Sequence, residues 1–278
     1  MDDATFQQQL LALKQEFPSL RTTTFGRSLL GRPLYALRFG KGQRHLLLAG
    51  AFHGMEHLTT SLLLRYSRSL IGELLPCRVT IIPMVNPDGV AIQTGGWQKA
   101  GRFGALVQKI SHGDTTHWQA NGRGVDLNHN FDAGWQDLHR REQESGITGP
   151  GPTRFGGLYP ESEPETQALC QLCRKEQFSL AIAFHSQGEE IYWEYGPYTP
   201  DISLQIAREM AKRSGYALEN PQGLAVGGGM KDWFICAFHR PAFTVEVGKG
   251  KNPLPEQALE EIYPKMKNML DALLCKTP

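Results

Sequence analysis

No stretch of this sequence approaches the roughly 18 consecutive apolar residues that a membrane-spanning helix needs. The start, Met1-Asp2-Asp3-Ala4, is acidic and runs into an amphipathic pattern. It has neither the basic opening nor the apolar centre of a secretion signal, so a cytoplasmic location is expected. Neither sign of charge is in excess: 29 Lys and Arg against 28 Asp and Glu leave a net charge of +1. That balance offers no basic field to nucleic acid or to a membrane, and no acidic surplus of the kind that keeps a chain disordered. Cysteine is scarce. Cys77, Cys170, Cys173, Cys236 and Cys275 are an odd number without the spacing of a disulfide scaffold. Cys170 and Cys173 form a C-x-x-C inside a helical pattern, with no second Cys or His pair to complete a zinc knuckle, and read as two small buried residues. Internal repeats and low-complexity tracts are absent as well. What remains is ordinary globular composition, 40% hydrophobic and 21% charged over 278 residues, enough for one α/β domain spanning 1–278.

The stretch around which the chain is organised is 46–57. Leu46-Leu47-Leu48-Ala49 is a short apolar run stopped by Gly50, and apolar residues resume at Leu58 in a helical pattern. This reads as a buried strand turning into a helix, with His53 at the strand's carboxyl end and Glu56 in the first turn. Residues three apart in such a turn face the same way, so imidazole and carboxylate converge. They are half of a zinc site, because catalytic zinc takes three His or Glu ligands and leaves a fourth position to water. The spacing alone is common, so a third ligand is required.

Taken in order, an amphipathic helix over 6–17 ends at Pro18, and 22–25 with 33–39 suggest a hairpin. A helix over about 56–71 precedes a strand over 79–84, and Asn86-Pro87-Asp88-Gly89 is turn chemistry. No hydrophobic period holds from Val90 to Asp126, which reads as a long functional loop region. The segment 146–157 is rich in breakers. Ser162-Glu163-Pro164-Glu165 has the form of a capping box opening a helix to about 176. Phe178 to His185 repeats the opening arrangement, a buried strand delivering a histidine at its carboxyl end, and supplies the third ligand. A strand over 191–195, a helix over 201–214, a short helix around 232–237 after Gly227-Gly228-Gly229, a strand over 241–248 and a helix over 259–274 bent at Pro264 complete the reading. Glu246 stands in that strand where burial favours an apolar residue, and is either paired or functional.

Two imidazoles, a metal-binding carboxylate and a second, free carboxylate suit amide hydrolysis. Bound zinc lowers the pKa of water from 15.7 to about 7, and the free acid can carry the proton to the leaving amine. The developing oxyanion needs a donor; Arg123 is the best-placed arginine, with Arg102 in reserve. His57 reads as a satisfied helix histidine, and His112, His117, His139 and His239 lack partners at metal spacing.

Six pieces in this order resemble the zinc metallocarboxypeptidases: His53-Gly54-Met55-Glu56, Asn86-Pro87-Asp88-Gly89, Gly124-Val125-Asp126-Leu127-Asn128, His185, Gly228-Gly229 followed by Asp232-Trp233, and Phe243-Thr244-Val245-Glu246. The resemblance covers most of the chain. It implies a central mixed, twisted sheet of about eight strands flanked by helices, one Zn2+ on His53, Glu56 and His185, and Glu246 as general base. Where digestive-type members read Asn-Arg to clamp a terminal carboxylate, this chain reads Asn128-His129, and the bidentate fork is gone. Gln119 falls near the position of another family arginine, and Gly223 and Leu224 stand where a tyrosine usually does.

Lys231, after Gly228-Gly229-Met230, falls in the segment that lines the specificity pocket of relatives. With 186–193 and 246–253 it looks like the bacterial branch that cleaves the γ-D-glutamyl to meso-diaminopimelate bond of peptidoglycan stem peptides. The expected partners are therefore stem peptides or their fragments, with substrate contacts from Asn128, His129 and Lys231. The rival readings are an ordinary zinc carboxypeptidase, a zinc amidohydrolase of acyl amino acids, and a zinc-containing binder of wall fragments without catalysis.

Overall fold

A computed structural model describes residues 1–275 of the chain. Its centre is four parallel strands, β3 (His45–Gly50), β4 (Arg78–Ile82), β5 (Leu180–His185) and β8 (Ala242–Glu246), adjacent in the order β4-β3-β5-β8. β2 (Pro33–Phe39) pairs antiparallel with β4 and carries the hairpin partner β1 (Arg21–Arg27). On the far side β6 (Glu190–Tyr192) runs antiparallel to β8 and pairs in parallel with β7 (Ala217–Glu219), giving eight strands in one mixed sheet. The four central strands are almost wholly apolar because both of their faces are covered, whereas β1 and β7 at the sheet's edges are largely exposed. Along β3, Leu46 and Leu48 enter one core while Leu47 and Ala49 enter the other, the two-residue alternation of a pleated strand.

The first core is closed by α1 (Asp3–Glu16), α2 (Leu58–Ser69), α7 (Ile202–Ser214) and α9 (Leu259–Cys275). The second is closed by α6 (Pro164–Glu176) and α8 (Met230–Phe238), where Cys170 and Cys173 are buried as small apolar residues. α9 continues through Pro264 as one element. No described helix is long and apolar enough to cross a membrane.

Four local expectations change. Asn86-Pro87-Asp88-Gly89 is not a free turn but the start of α3 (Pro87–Gly95): the Asn86 side chain accepts from Gly89 N, and Pro87 takes the first turn. Asparagine and proline serve turns and helix starts alike, and the buried Val90-Ala91-Ile92 decides for the helix. The supposed loop after it also holds a 3-10 segment, Trp97–Phe103, and α4 (Gly104–Ile110). α5 (Trp135–Glu144) goes unread in the sequence because Trp135, Leu138 and Glu142 are its only buried residues. The capping box at Ser162 does not form. Glu163 is the N-cap and makes no side-chain cap bond, while Glu165 accepts instead from Leu29 N at 2.9 Å.

Candidate metal centre and its cavity

In an open α/β sheet, ligands gather beyond the carboxyl ends of the strands, where successive connections leave in opposite directions. Here the chain passes from β3 to β4 on one side and returns to β5 on the other, so that crevice lies between β3 and β5. His53 arrives from β3 and His185 from β5. Ala51 turns the exit of β3 at φ 51, a left-handed conformation that costs a residue with a Cβ about 1 kcal/mol or more. Hydrogen bonds hold it there: Thr59 Oγ1 accepts from Ala51 N at 2.7 Å, Asn86 N donates to Ala51 O at 2.9 Å, and Asn86 Nδ2 donates to Phe52 O at 3.0 Å. Asn86 thus caps α3 and fixes the approach to His53. The next residue is glycine for a steric reason, since a Cβ on Gly54 would collide with the Gly89 carbonyl and lie 2.8 Å from Trp118 O.

A 3-10 turn, Gly54–Glu56, brings the Glu56 carboxylate back under His53. Glu56 Oε1 lies 2.9 Å from His53 Nδ1, Glu56 Oε2 lies 2.9 Å from His185 Nδ1, and the two Nδ1 atoms are 3.3 Å apart. Nitrogens bound tetrahedrally to zinc at about 2.05 Å are separated by about 3.3 Å, so the three groups are spaced for one small ion. Among the described residues they form the one group of three or more His, Cys, Asp or Glu arranged to hold a metal.

The outer nitrogen of His53 is held by Asp126, with Nε2 and Oδ1 3.1 Å apart. Asp126 also accepts from Asn128 N at 3.0 Å and Arg154 N at 2.9 Å, which fixes its own orientation. A carboxylate behind a metal-binding histidine sets its tautomer and raises its basicity. Asp126 stands in the quoted Gly-Val-Asp-Leu-Asn stretch, but that stretch does not reveal the role. His185 is oriented otherwise, stacked on Phe52 with ring centroids 5.2 Å apart, and its Nε2 is buried without a partner.

The electrostatics fit a cation site. Burial would push Glu56 up, yet the neighbouring imidazoles His53 and His185 pull its carboxyl down to about 2. Burial also opposes charge on His53, and the carboxylates of Glu56 and Asp126 overcome it, raising the imidazole well above its usual range. Asp126 is held far below the carboxylate range by His53 and His129 in spite of its burial. Glu246 goes the other way: burial and the Glu56 charge raise it well above the usual carboxylate value. It stands directly beside His185 in the β5–β8 register, so ligand and second acid leave adjacent strands side by side.

These groups open on a cavity of about 440 Å³ whose walls include Asn128, His129, Lys231 and Arg154. Asn128 Oδ1 accepts from Met230 N at the start of α8. His129 Nδ1 is 2.7 Å from the buried Glu142 Oε1. Lys231 reaches the cavity wall but is already engaged: its ammonium donates to Glu194 O at 2.6 Å and pairs with Asp232. Arg123 and Arg102 are not among the lining residues. The Arg123 guanidinium is turned away onto the fully buried Glu163, with contacts of 2.9 and 2.7 Å. The geometry therefore does not deliver Arg123 to a reacting oxygen, because a buried carboxylate holds it elsewhere.

The chain is 32% identical over 268 residues to γ-D-glutamyl-L-diamino acid endopeptidase 1 of Lysinibacillus sphaericus, covering 90% of this chain and 66% of that one. The chain thus spans just under two-thirds of that relative's length. Murein peptide amidase A of Escherichia coli is 33% identical over 168 residues, 59% of this chain and 58% of that one. Among solved structures, bovine thrombin-activatable fibrinolysis inhibitor superposes with a TM-score of 0.78 at 21% identity over 97% of this chain and 94% of its own. Murein-tripeptide amidase from E. coli O157 does so at 0.62 and 27% identity over 92% of each chain. A zinc carboxypeptidase sequence profile matches residues 6–271, and the chain belongs to the zinc carboxypeptidase family of metallopeptidases.

Proposed function

We propose that this chain is a single catalytic domain that hydrolyses the γ-D-glutamyl to meso-diaminopimelate bond of peptidoglycan stem peptides. In this reading one zinc ion is held by His53, Glu56 and His185, and Glu246 is the general base. When bound, the zinc supplies a polarised carbonyl and a water acidified toward a pKa of about 7. Glu246 takes the proton and returns it to the leaving amine. Asp126 keeps His53 in one orientation, and Asn128, His129 and Lys231 wall the space for the departing residue.

The observation that carries the substrate choice is His129. Digestive-type members place an arginine fork at this position; here an imidazole is tied to Glu142, so the usual clamp for a terminal carboxylate is missing. Two relatives support the reading, since the Lysinibacillus protein is named for γ-D-glutamyl-diamino acid cleavage and the E. coli one for murein peptides. The expected cytoplasmic location belongs to the same proposal, and cell fractionation tests it.

The test is incubation of zinc-loaded protein with L-Ala-γ-D-Glu-meso-diaminopimelate and, separately, with N-blocked α-linked dipeptides. Release of diaminopimelate that stops with a chelator and returns with zinc supports the proposal. Preferential cleavage of the blocked dipeptides replaces it with an ordinary carboxypeptidase or acyl-amino-acid hydrolase, and binding without cleavage replaces it with a wall-fragment binder. Glu246→Gln should lower kcat about 10²- to 10⁴-fold with zinc content unchanged.

A further inference from the structure

Accounting for every cation near the cavity singles out one that the chemistry above leaves unused. His53 and His185 face Glu56, and His53 also faces Asp126. His129 is tied to Glu142, Lys231 to Asp232 and the Glu194 carbonyl, and Arg123 to Glu163 outside the cavity. Arg154 differs. It lines the cavity, it is exposed, and among the described residues its guanidinium has no hydrogen bond or ion pair.

Its backbone is nevertheless fixed. Arg154 N donates at 2.9 Å to Asp126 Oδ2, the carboxylate whose other oxygen holds His53, and the residue sits at φ 65. A side chain other than glycine stays in that left-handed conformation only where its surroundings hold it there. The arginine is thus tied to the metal centre at its root and free at its tip. A guanidinium is a planar fork that matches a carboxylate with two parallel hydrogen bonds, and it keeps its charge at any working pH.

We infer that Arg154 is the specificity-determining residue that binds a carboxylate of the substrate's amine-side residue, since His129 and Lys231 already face the carboxylates of Glu142 and Asp232 while the Arg154 guanidinium, among the described residues, faces none. The identity of that residue as diaminopimelate rests on the function proposed above; the carboxylate contact does not. Diaminopimelate offers two candidates, the main-chain carboxylate and the one at the end of its side chain. Arg154 meets the substrate at the solvent-facing wall, whereas the reacting bond belongs at the half-buried His53 and the buried His185. Its loss therefore weakens binding and spares turnover.

The experiment measures kcat and KM of wild type, Arg154→Ala and Arg154→Lys on three zinc-dependent substrates. These are L-Ala-γ-D-Glu-meso-diaminopimelate, its main-chain amide, and the analogue with L-lysine, which lacks the side-chain carboxylate. On the full substrate Arg154→Ala should raise KM about 10- to 100-fold, the loss of one charge-assisted contact, with kcat within about threefold. Arg154→Lys should recover part of it. The effect should collapse on whichever analogue lacks the paired carboxylate, which names the partner.

Calorimetric titration with free meso-diaminopimelate should show the same loss without turnover. An equal rise in KM on all three substrates overturns the inference, as does a fall in kcat with KM unchanged, the mark of an oxyanion donor. If wild type cleaves no stem peptide, the substrate reading fails by itself. The variants are then compared on N-blocked dipeptides with free or amidated carboxylates, and equal effects on both forms overturn the Arg154 assignment.

Discussion

Replacing Glu165 by glutamine should remove a pH-dependent loss of stability that the structure builds into the start of α6. Glu165 is fully buried; one oxygen accepts from Leu29 N at 2.9 Å and the other has no partner. Burial, and then the neighbouring Asp88 carboxylate, push its carboxyl from 4.5 up to about 8, and the Leu29 amide offsets only part of this. The sign follows from proton counting. Between pH 4.5 and about 8 the folded chain keeps a proton that the unfolded chain has released, so stability falls as pH rises through that window. The slope approaches about 1.4 kcal/mol per pH unit, a few kcal/mol across the window. Glutamine keeps the acceptor for Leu29 and cannot ionise. Urea unfolding of both proteins at steps between about pH 5 and 8.5 measures the difference, in which the titrations of groups that do not interact with Glu165 cancel. The variant should match wild type near pH 5 and exceed it progressively above. Parallel curves, or a variant less stable at the alkaline end, would refute the reasoning.

Two further substitutions separate roles that distance alone leaves mixed. Asp126→Asn removes the charge behind His53 and should weaken zinc affinity about 10- to 100-fold, read by competition with a chromogenic chelator; an unchanged affinity would show that His53 is oriented without it. Arg123→Ala should lower stability by about 1–3 kcal/mol, because the buried Glu163 loses its ion pair and keeps only the donors of Asn121 and Ser162, and leave kcat within a fewfold. A hundredfold fall in kcat at unchanged stability would return Arg123 to the oxyanion role.

Short-range pattern is the part of this molecule that its sequence makes legible. The apolar run at 46–49 is followed through Gly50 by His53, the run before His185 ends in that histidine, and each lies in a strand with both faces buried, so the two histidines are legible from the pattern, Glu56 from its spacing to His53, and Glu246 as an acid in an apolar strand. The eight-stranded mixed sheet follows from the family resemblance that these residues carry. Helices with a broad apolar face are legible as well. α5 is not, since its few buried positions give no clear period, and neither is α3, whose first residues are also turn residues.

Charge pairing is where sequence reasoning stops, because it joins residues that pattern does not connect. Arg123 looks available until Glu163, 40 residues on, closes on it, and Asp126 gains its meaning from His53, 73 residues back. Lys231 shows the same from the opposite side. Neighbours one apart on a helix do not ordinarily face each other, yet the flexible lysine stem lets its ammonium reach Asp232. Whether a cation can serve a substrate depends on what else has claimed it. By that criterion the arginine in the breaker-rich segment 146–157, unremarkable in the sequence, is the cavity-wall cation that, among the described residues, has no hydrogen bond or ion pair at its charged group, and the lysine expected there is not.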